Sequence, residues 1–518
     1  QELGVWRRHE PLGLLRRGLA EEPGEGAQRA AQALLSCPPP DPDADLRQDL
    51  THLRVFTIDD ASTTEVDDGI SIEPWVTTHE DEDGEGDEGS GSGSSSRWSA
   101  DGGVLKIWIH VADPSRWIQP GSDLDLYGSQ RLRSLYLPWG NLPMFPRSLA
   151  EGPFSLREGQ VCDAFSICVL LRPDGSLTRP RVTPSRITVT HKLTYEAADS
   201  LIAPATAATT TRNTAPQSQQ QQQQVTDAAA SSPKTTPDTE ATEDNVSRQQ
   251  QRPQQPDQQQ QQQQQVDGEA LADLLALHAA ATARRSYREA RGAIEIPSPE
   301  ARVTVPASHL DRVRPGVRVA ALRPWESAAR GLVAEMMILA GEAVGELGSS
   351  ACLPLPYRSQ PAPPHLPPPT LLAALPEGPV RGFALRRCMP RSAVGPEPLP
   401  HAALGLEAYV QVTSPIRRYP DLLAHHNLKA WLRGRPLPYG APQIEAAAEA
   451  AAGAGRELTA VERECENYWV AEYFRQHWGS DYPATLLGWQ REELRLAAFL
   501  IDELGLEVVA RLPPGCAG

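Results

Sequence analysis

Phe56-Thr-Ile-Asp-Asp-Ala-Ser-Thr-Thr-Glu-Val-Asp-Asp-Gly-Ile-Ser-Ile72 places a dense acidic loop between two apolar runs. Leu53, Val55, Phe56 and Ile58 lead in with the spacing of a β-strand, and a second run starts at Ile70. Between them lie Asp59, Asp60, Glu65, Asp67 and Asp68. Carboxylates at that density repel one another unless positive charge offsets them. A divalent cation is the usual counter-charge, and an all-oxygen donor set suits Mg²⁺, or Mn²⁺ in its place, rather than Zn²⁺. Two plainer readings compete. The flanking β-branched and aromatic residues argue against a freely solvated loop. A helical calcium-binding loop needs an oxygen donor at its third position and Gly at its sixth; counted from Asp59, those positions hold Ala61 and Thr64.

With 518 residues the chain has room for two or three domains. Its net charge of −17 is unexpected for an enzyme of nucleic acids, whose phosphate contacts come from Lys and Arg. Much of the acid lies in stretches that read as inserts, so net charge says little about the local field. Seven scattered cysteines with no C-x-x-C pair predict a reducing compartment, no disulfide framework and no zinc site. No apolar run is long enough to span a membrane. The sequence starts at Gln1, not Met, and reads as a fragment or a processed form.

Residues 79–103 are acidic and then Gly/Ser-rich, and residues 203–268 are Thr/Ala/Pro/Gln-rich with two Gln tracts. Neither has a period, and both are expected to be disordered extensions of surface loops. The Pro/Asp-rich run at 38–45 reads as a linker. Strands are expected at 104–111 and over 161–196, the latter with turns at Pro173-Asp-Gly175 and Pro184. Helices are expected over 269–291, 326–347 and 441–478. The first ends in a basic face, Arg284, Arg285, Arg288 and Arg291, which is either solvated or turned to a phosphate backbone. Arg417 and Arg418 stand just ahead of a helix that has Pro420 in its first turn. Paired guanidinium forks beside free helix N–H groups make a phosphate-binding arrangement; the competing reading is an Arg–carboxylate bridge. Asp421 either caps this helix or pairs with one of the arginines.

The acidic loop is followed by Ile109-His-Val-Ala-Asp-Pro114, Ser134-Leu-Tyr-Leu-Pro138, Pro143-Met-Phe-Pro146, Ser155-Leu-Arg157 and Thr413-Ser-Pro-Ile-Arg-Arg-Tyr-Pro-Asp421. In kind and order these blocks resemble those of the ribonuclease II/R family, whose catalytic domain is called RNB. The resemblance runs from about residue 45 to about residue 475. It implies an α+β fold. An N-terminal segment and linker at 1–48 precede an RNB catalytic domain at 49–478, a mixed sheet with surrounding helices that form an RNA channel. Residues 479–518 resemble part of an OB-type β-barrel, although the Lys, Arg and surface aromatics of an RNA-binding barrel are sparse there.

The resemblance implies a 3′→5′ exoribonuclease that hydrolyses single-stranded RNA processively to 5′-mononucleotides by two-metal-ion catalysis. Asp59, Asp67 and Asp68 match the core acids, and Glu65 stands where the family usually has Asp. Asp68 occupies the place whose loss disarms the family's site. Arg417 would hold the phosphate near the scissile bond, with Arg418 beside it. A lone Tyr such as Tyr136 is often half-buried core, but its place resembles the family's aromatic clamp, where stacking contributes about 1–3 kcal/mol per base. The other half of that clamp is weakened, because Ile296 stands where the family often has Phe. Ala334 replaces the first of two acids on the next helix. The second, Glu335, has two readings: it positions RNA, or it forms a structural salt bridge.

Ile296, Ala334 and the inserts suggest the alternative, a non-catalytic RNA-binding or scaffold relative; the complete acid set favours the enzyme. A DNA nuclease shares the metal chemistry, and the order of the blocks argues against it. The expected partner is single-stranded RNA, with no membrane, and the chain is expected to be an intracellular monomer. Asp49-Leu-Thr-His-Leu53 and Leu355-Pro-Tyr-Arg-Ser-Gln360 look closer to cyanobacterial and plant organelle members, which points to a plastid or mitochondrion.

Overall fold

The computed structural model describes residues 8–74, 103–213, 266–513 and 515. The N-terminal segment carries helices α1 (Leu12–Arg16) and α2 (Glu25–Ser36). Strands β1 (Gln48–Asp49), β2 (Val55–Asp59), β3 (Asp68–Pro74) and β4 (Leu105–Ala112) follow, then α3 (Asp123–Arg131). Next come the hairpin β5 (Leu135–Leu137) to β6 (Gly140–Leu142), α4 (Arg147–Ala150), and two long strands, β7 (Val161–Leu171) and β8 (Leu177–Thr194). Helices α5 (Tyr195–Asn213) and α6 (Gly268–Ala290) precede the hairpin β9 (Glu300–Thr304) to β10 (Arg318–Leu322) and the helix α7 (Ala328–Ser350). Strand β11 (Tyr357–Ser359), helices α8 (Pro369–Ala374) and α9 (Pro379–Arg386), and strand β12 (Ala393–Gly395) lead to α10 (Tyr419–Leu432) and α11 (Ala441–Gln476). Strands β13 (Ala484–Arg491), β14 (Leu496–Ile501) and β15 (Leu506–Arg511) form a separate antiparallel sheet, compatible with part of a small barrel.

The main sheet is mixed, in the order β1-β8-β2-β3-β4-β7, and β7 also pairs with β8, so the strands return on themselves. Side chains alternate between its faces, as strand geometry requires. Ile107, Ile109, Phe165 and Ile167 join Leu274 of α6 and Met336 and Leu339 of α7 in one core. Trp108, Ala112, Ala164 and Cys168 join Ala31 of α2, Leu124 of α3 and Leu422 of α10 in another. Each fully buried aliphatic side chain contributes about 1.5–3 kcal/mol, so a sheet covered on both faces is a firm base for whatever projects from its strand ends. His110 is wholly buried, with its ring nitrogens 2.9 Å from Ser71 Oγ and 2.7 Å from Ser166 Oγ. Burial drives its pKa down to about 3, so it is a neutral, hydrogen-bonded core residue.

Several expectations change in three dimensions. The run at 38–45 is not a linker. Asp43 is buried, with Lys429 Nζ at 3.0 Å and Arg433 Nε at 2.7 Å, while Arg47 bonds Asp41 (2.7 Å) and Asp113 (3.2 Å). This charge network clamps the N-terminal segment onto the end of β4 and onto α10. Removing one partner from such a buried set typically costs about 3–5 kcal/mol, because the other charge is left uncompensated. The basic face of α6 is not wholly solvated, and two of its arginines face inward: Arg284 pairs with Glu342, and Arg288 with Glu335, both across to α7. Pro184 makes no turn. It lies within β8 just before β1 joins at Ser185, where the strand has one neighbour and a missing donor is tolerated. The turn at Pro173-Asp-Gly175 forms, with Gly175 at φ 84°. The stretches at 79–103 and 203–268 fall mostly outside the described residues; α5 carries regular helix as far as Asn213.

Candidate active site

Asp59 is the last residue of β2 and Asp68 the first of β3. The two strands are antiparallel with Phe56 opposite Ile70, which sets Asp59 beside the Asp67–Asp68 pair. Gly69 allows this close crossing, since a Cβ there would lie 2.8 Å from Val55 Cγ1. Asp67 is held most firmly. Its Oδ1 accepts from the Ile416 amide at 3.0 Å and its Oδ2 from Arg417 Nε at 3.1 Å. Arg417 also donates to Ser414 Oγ (2.8 Å), and its carbonyl accepts from the Ser134 amide (3.1 Å). The loop before α10 is thereby tied both to the acids and to the start of β5.

A cavity of about 710 Å³ opens over this junction. Asp59, Glu65, Asp67, Asp68, Tyr136 and Arg417 all line it, so one site gathers most of the residues expected from the sequence. Tyr136 is 48 % exposed, and its hydroxyl lies beside Arg417. Two expected residues are placed elsewhere. Arg418 donates to Asp421 Oδ2 at 2.7 Å and does not line the cavity; the bridge reading holds for this arginine, and Asp421 is its partner. Glu335 is buried, and Arg288 Nε donates to it at 2.9 Å; of its two readings, the salt bridge is the one formed. Ile296 does not line the cavity either.

Sequence reasoning missed Arg302, Arg330, Tyr195 and the role of Asp60, all of which line the same cavity. Arg302 is 242 positions from the Asp60 it grips, a separation that no local pattern encodes. The position of Asp60 inside the acidic loop was the one available signal.

The acids sit in a field that disfavours their charged forms. Burial, then repulsion from Asp59 and Asp67, pushes Asp68 up to about 8. Burial, with Asp67 and Glu151, pushes Glu65 up to about 7. Burial raises Asp59 and Asp67 to about 6 against the pull of Arg417. Glu65 Oε2 is buried without a hydrogen-bond partner. A crowded acid set with an orphaned carboxylate oxygen fits hard divalent cations. Among the described residues no three acidic, His or Cys side chains already close into a cation cage. Mg²⁺ usually keeps several waters and takes one or two carboxylates, so an open set suits it.

A pH-dependent ion effect follows. With folded pKa values above those of the unfolded chain, these acids favour the folded state below about pH 4. They lose that contribution as pH rises through 6 to 8. A bound cation needs them deprotonated. The Tm increment produced by Mg²⁺ is therefore expected to be larger at pH 8 than at pH 5.5. Equal increments in a melting series at the two pH values would contradict this.

Residues 47–434 match the family model described as RNB domain. The chain belongs to the RNB family. This RNB chain is 38 % identical over 510 residues to an uncharacterized ribonuclease of Synechocystis sp., covering 98 % of the chain and 62 % of that protein. It is 32 % identical over 517 residues to the chloroplastic/mitochondrial ribonuclease II of Arabidopsis thaliana, covering 99 % and 53 %. The RNB chain thus spans between 53 % and 62 % of the length of these relatives. Its fold matches RNase R of Mycoplasma genitalium, solved in complex with ribose methylated single-stranded RNA. The TM-score is 0.67 at 16 % identity, over 96 % of this chain and 69 % of that one. The central mixed sheet with surrounding helices is therefore the RNB fold that the sequence blocks implied. Among the described residues no helix is long and apolar enough to cross a membrane.

Proposed function

We propose that this chain is a 3′→5′ exoribonuclease acting processively on single-stranded RNA, with Mg²⁺ or Mn²⁺ held by Asp59, Glu65, Asp67 and Asp68. The observation that carries this reading is the convergence of those four acids, Tyr136 and Arg417 on one cavity. Bound divalent cations would supply the charge that activates the attacking water and stabilises the leaving 3′ oxygen. The protein's own contribution is position. Asp67 and Ser414 fix the Arg417 guanidinium and leave part of its fork for a phosphate oxygen. Tyr136, half exposed on β5, offers a sequence-tolerant stacking surface for a base near the 3′ end. The products would be 5′-mononucleotides. A plastid or mitochondrial location is part of the proposal, supported by the name of the Arabidopsis relative.

The test is a 5′-labelled single-stranded RNA incubated with the chain and Mg²⁺. Shortening from the 3′ end is expected, with few intermediates when RNA is in excess and with DNA of the same sequence left intact. A folded chain that binds the RNA but never shortens it with Mg²⁺ or Mn²⁺ would instead be a non-catalytic RNA-binding relative.

A further inference from the structure

Asp60 lies one residue beyond Asp59 but faces different company. Arg302 of β9 grips both of its carboxylate oxygens, and the Ser62 amide and hydroxyl bond it at 3.2 and 3.0 Å. Burial alone would raise its pKa; the Arg302 and Ser62 bonds outweigh that and hold it at about 2. Arg330, in the first turn of α7, reaches the same carboxylate from another side, with Nη2 3.7 Å from Asp60 Oδ2. Its guanidinium lies 3.9 Å from the centre of the Tyr195 ring, and Nη2 is buried without a hydrogen-bond partner. The arginines are carried by separate elements. β9 leads into Val305, whose amide bonds the Pro138 carbonyl (2.7 Å), while the Ala329 amide at the start of α7 bonds Asp199 (2.8 Å).

Two guanidinium groups face the Asp60 carboxylate here, Glu196 is a further acidic neighbour of Arg302, and Arg330 Nη2 is left without a hydrogen-bond partner. The metal-site acids have Arg417, Arg418, Lys192 and Arg147 as their main cationic neighbours. Asp60, Arg302, Arg330 and Tyr195 nevertheless share the cavity with those acids. A stacked, under-bonded guanidinium in a polar cavity is built to take an anionic oxygen ligand, and Arg forks match phosphate geometry.

We infer that Arg302 and Arg330 form a second phosphate-binding place in this cavity, and that Asp60 is a resident counter-ion which an RNA backbone phosphate displaces. The inference rests on RNA as the ligand, as proposed above. It makes Arg302 and Arg330 positioning residues for a phosphate other than the scissile one. Asp60 holds them apart and preformed in the absence of RNA and competes with RNA for them. A purely structural latch between the acidic loop and β9 would use the same contacts, but it responds differently to loss of Asp60.

The experiment measures binding of a 5′-fluorescent single-stranded RNA in EDTA, where nothing is hydrolysed, across a NaCl series. The proteins are the full chain and its Arg302→Gln, Arg330→Gln and Asp60→Asn variants. Each lost phosphate contact lowers the slope of log affinity against log salt by about 0.7 for single strands. Arg302→Gln and Arg330→Gln are expected to weaken binding several-fold and to flatten the slope by that amount. Asp60→Asn is expected to tighten binding several-fold, because both forks are released. Weaker binding by Asp60→Asn, or arginine variants with the wild-type slope, overturns the inference in favour of the latch. If Arg330→Gln does not fold, the partly exposed Arg302 and Asp60 decide the matter between them. Because hydrolysis is not read, a wild type that binds RNA without shortening it sinks the exoribonuclease reading and leaves this test standing.

Discussion

Asp68→Asn is expected to slow 3′-end shortening by three orders of magnitude or more, roughly 4 kcal/mol of transition-state stabilisation, while RNA binding persists. Asp68 is paired into the sheet opposite Val111, so its backbone is fixed and an isosteric amide keeps its place. What is lost is one full negative charge at the point where the acids crowd most. The same change should stabilise the metal-free chain. Wild-type Asp68 has its pKa pushed up to about 8 by burial and by Asp59 and Asp67, so at neutral pH and above it weakens the fold relative to an uncharged residue. A variant that is slower in single-turnover hydrolysis yet melts higher in EDTA at pH 8 would show that the site trades stability for charge. Wild-type hydrolysis by Asp68→Asn would remove this residue from the catalytic set. A lower melting temperature would mean that the crowding is relieved in some other way.

Arg417→Lys carries the second-largest expected effect, a loss of about 10²–10³ in kcat with little change in KM. Arg417 spends Nε on Asp67 and one terminal nitrogen on Ser414 while still facing the cavity. Lysine keeps the charge but is a single point donor, so it cannot hold Asp67 and a phosphate together. Arg418→Lys is the matched control. Arg418 bonds Asp421, which also accepts from the Ser414 amide at 3.0 Å, so its replacement should lower the melting temperature more than kcat. Equal kcat losses in the two variants would show that the Ser414–Asp421 loop acts as one structural unit, not as a phosphate site centred on Arg417.

The sequence alone determined the features that are local or periodic. Alternation in Leu53–Ile58 and 104–111 announced β2 and β4, and the two ends of one strand-loop-strand unit carry Asp59 and Asp68, so their proximity follows from pairing adjacent strands. The Thr413–Asp421 block announced a helix with arginines at its start, and the ordered blocks announced the RNB fold. Only the tertiary structure decided which charges face which. Asp67 and Arg417 are 350 positions apart, and Lys429 and Asp113 are 316 apart. An arginine reads the same in sequence whether it is solvated or buried with a partner, because ordinary charged residues are exposed and only a facing carboxylate makes burial tolerable. In sequence Arg288 reads as part of a surface face, and only the fold sets Glu335 across from it; the run at 38–45 reads as a linker, and only the fold closes Lys429 and Arg433 on Asp43. Hydrophobic period is written along the chain; the pairing of charges is written across the space that the folded chain encloses.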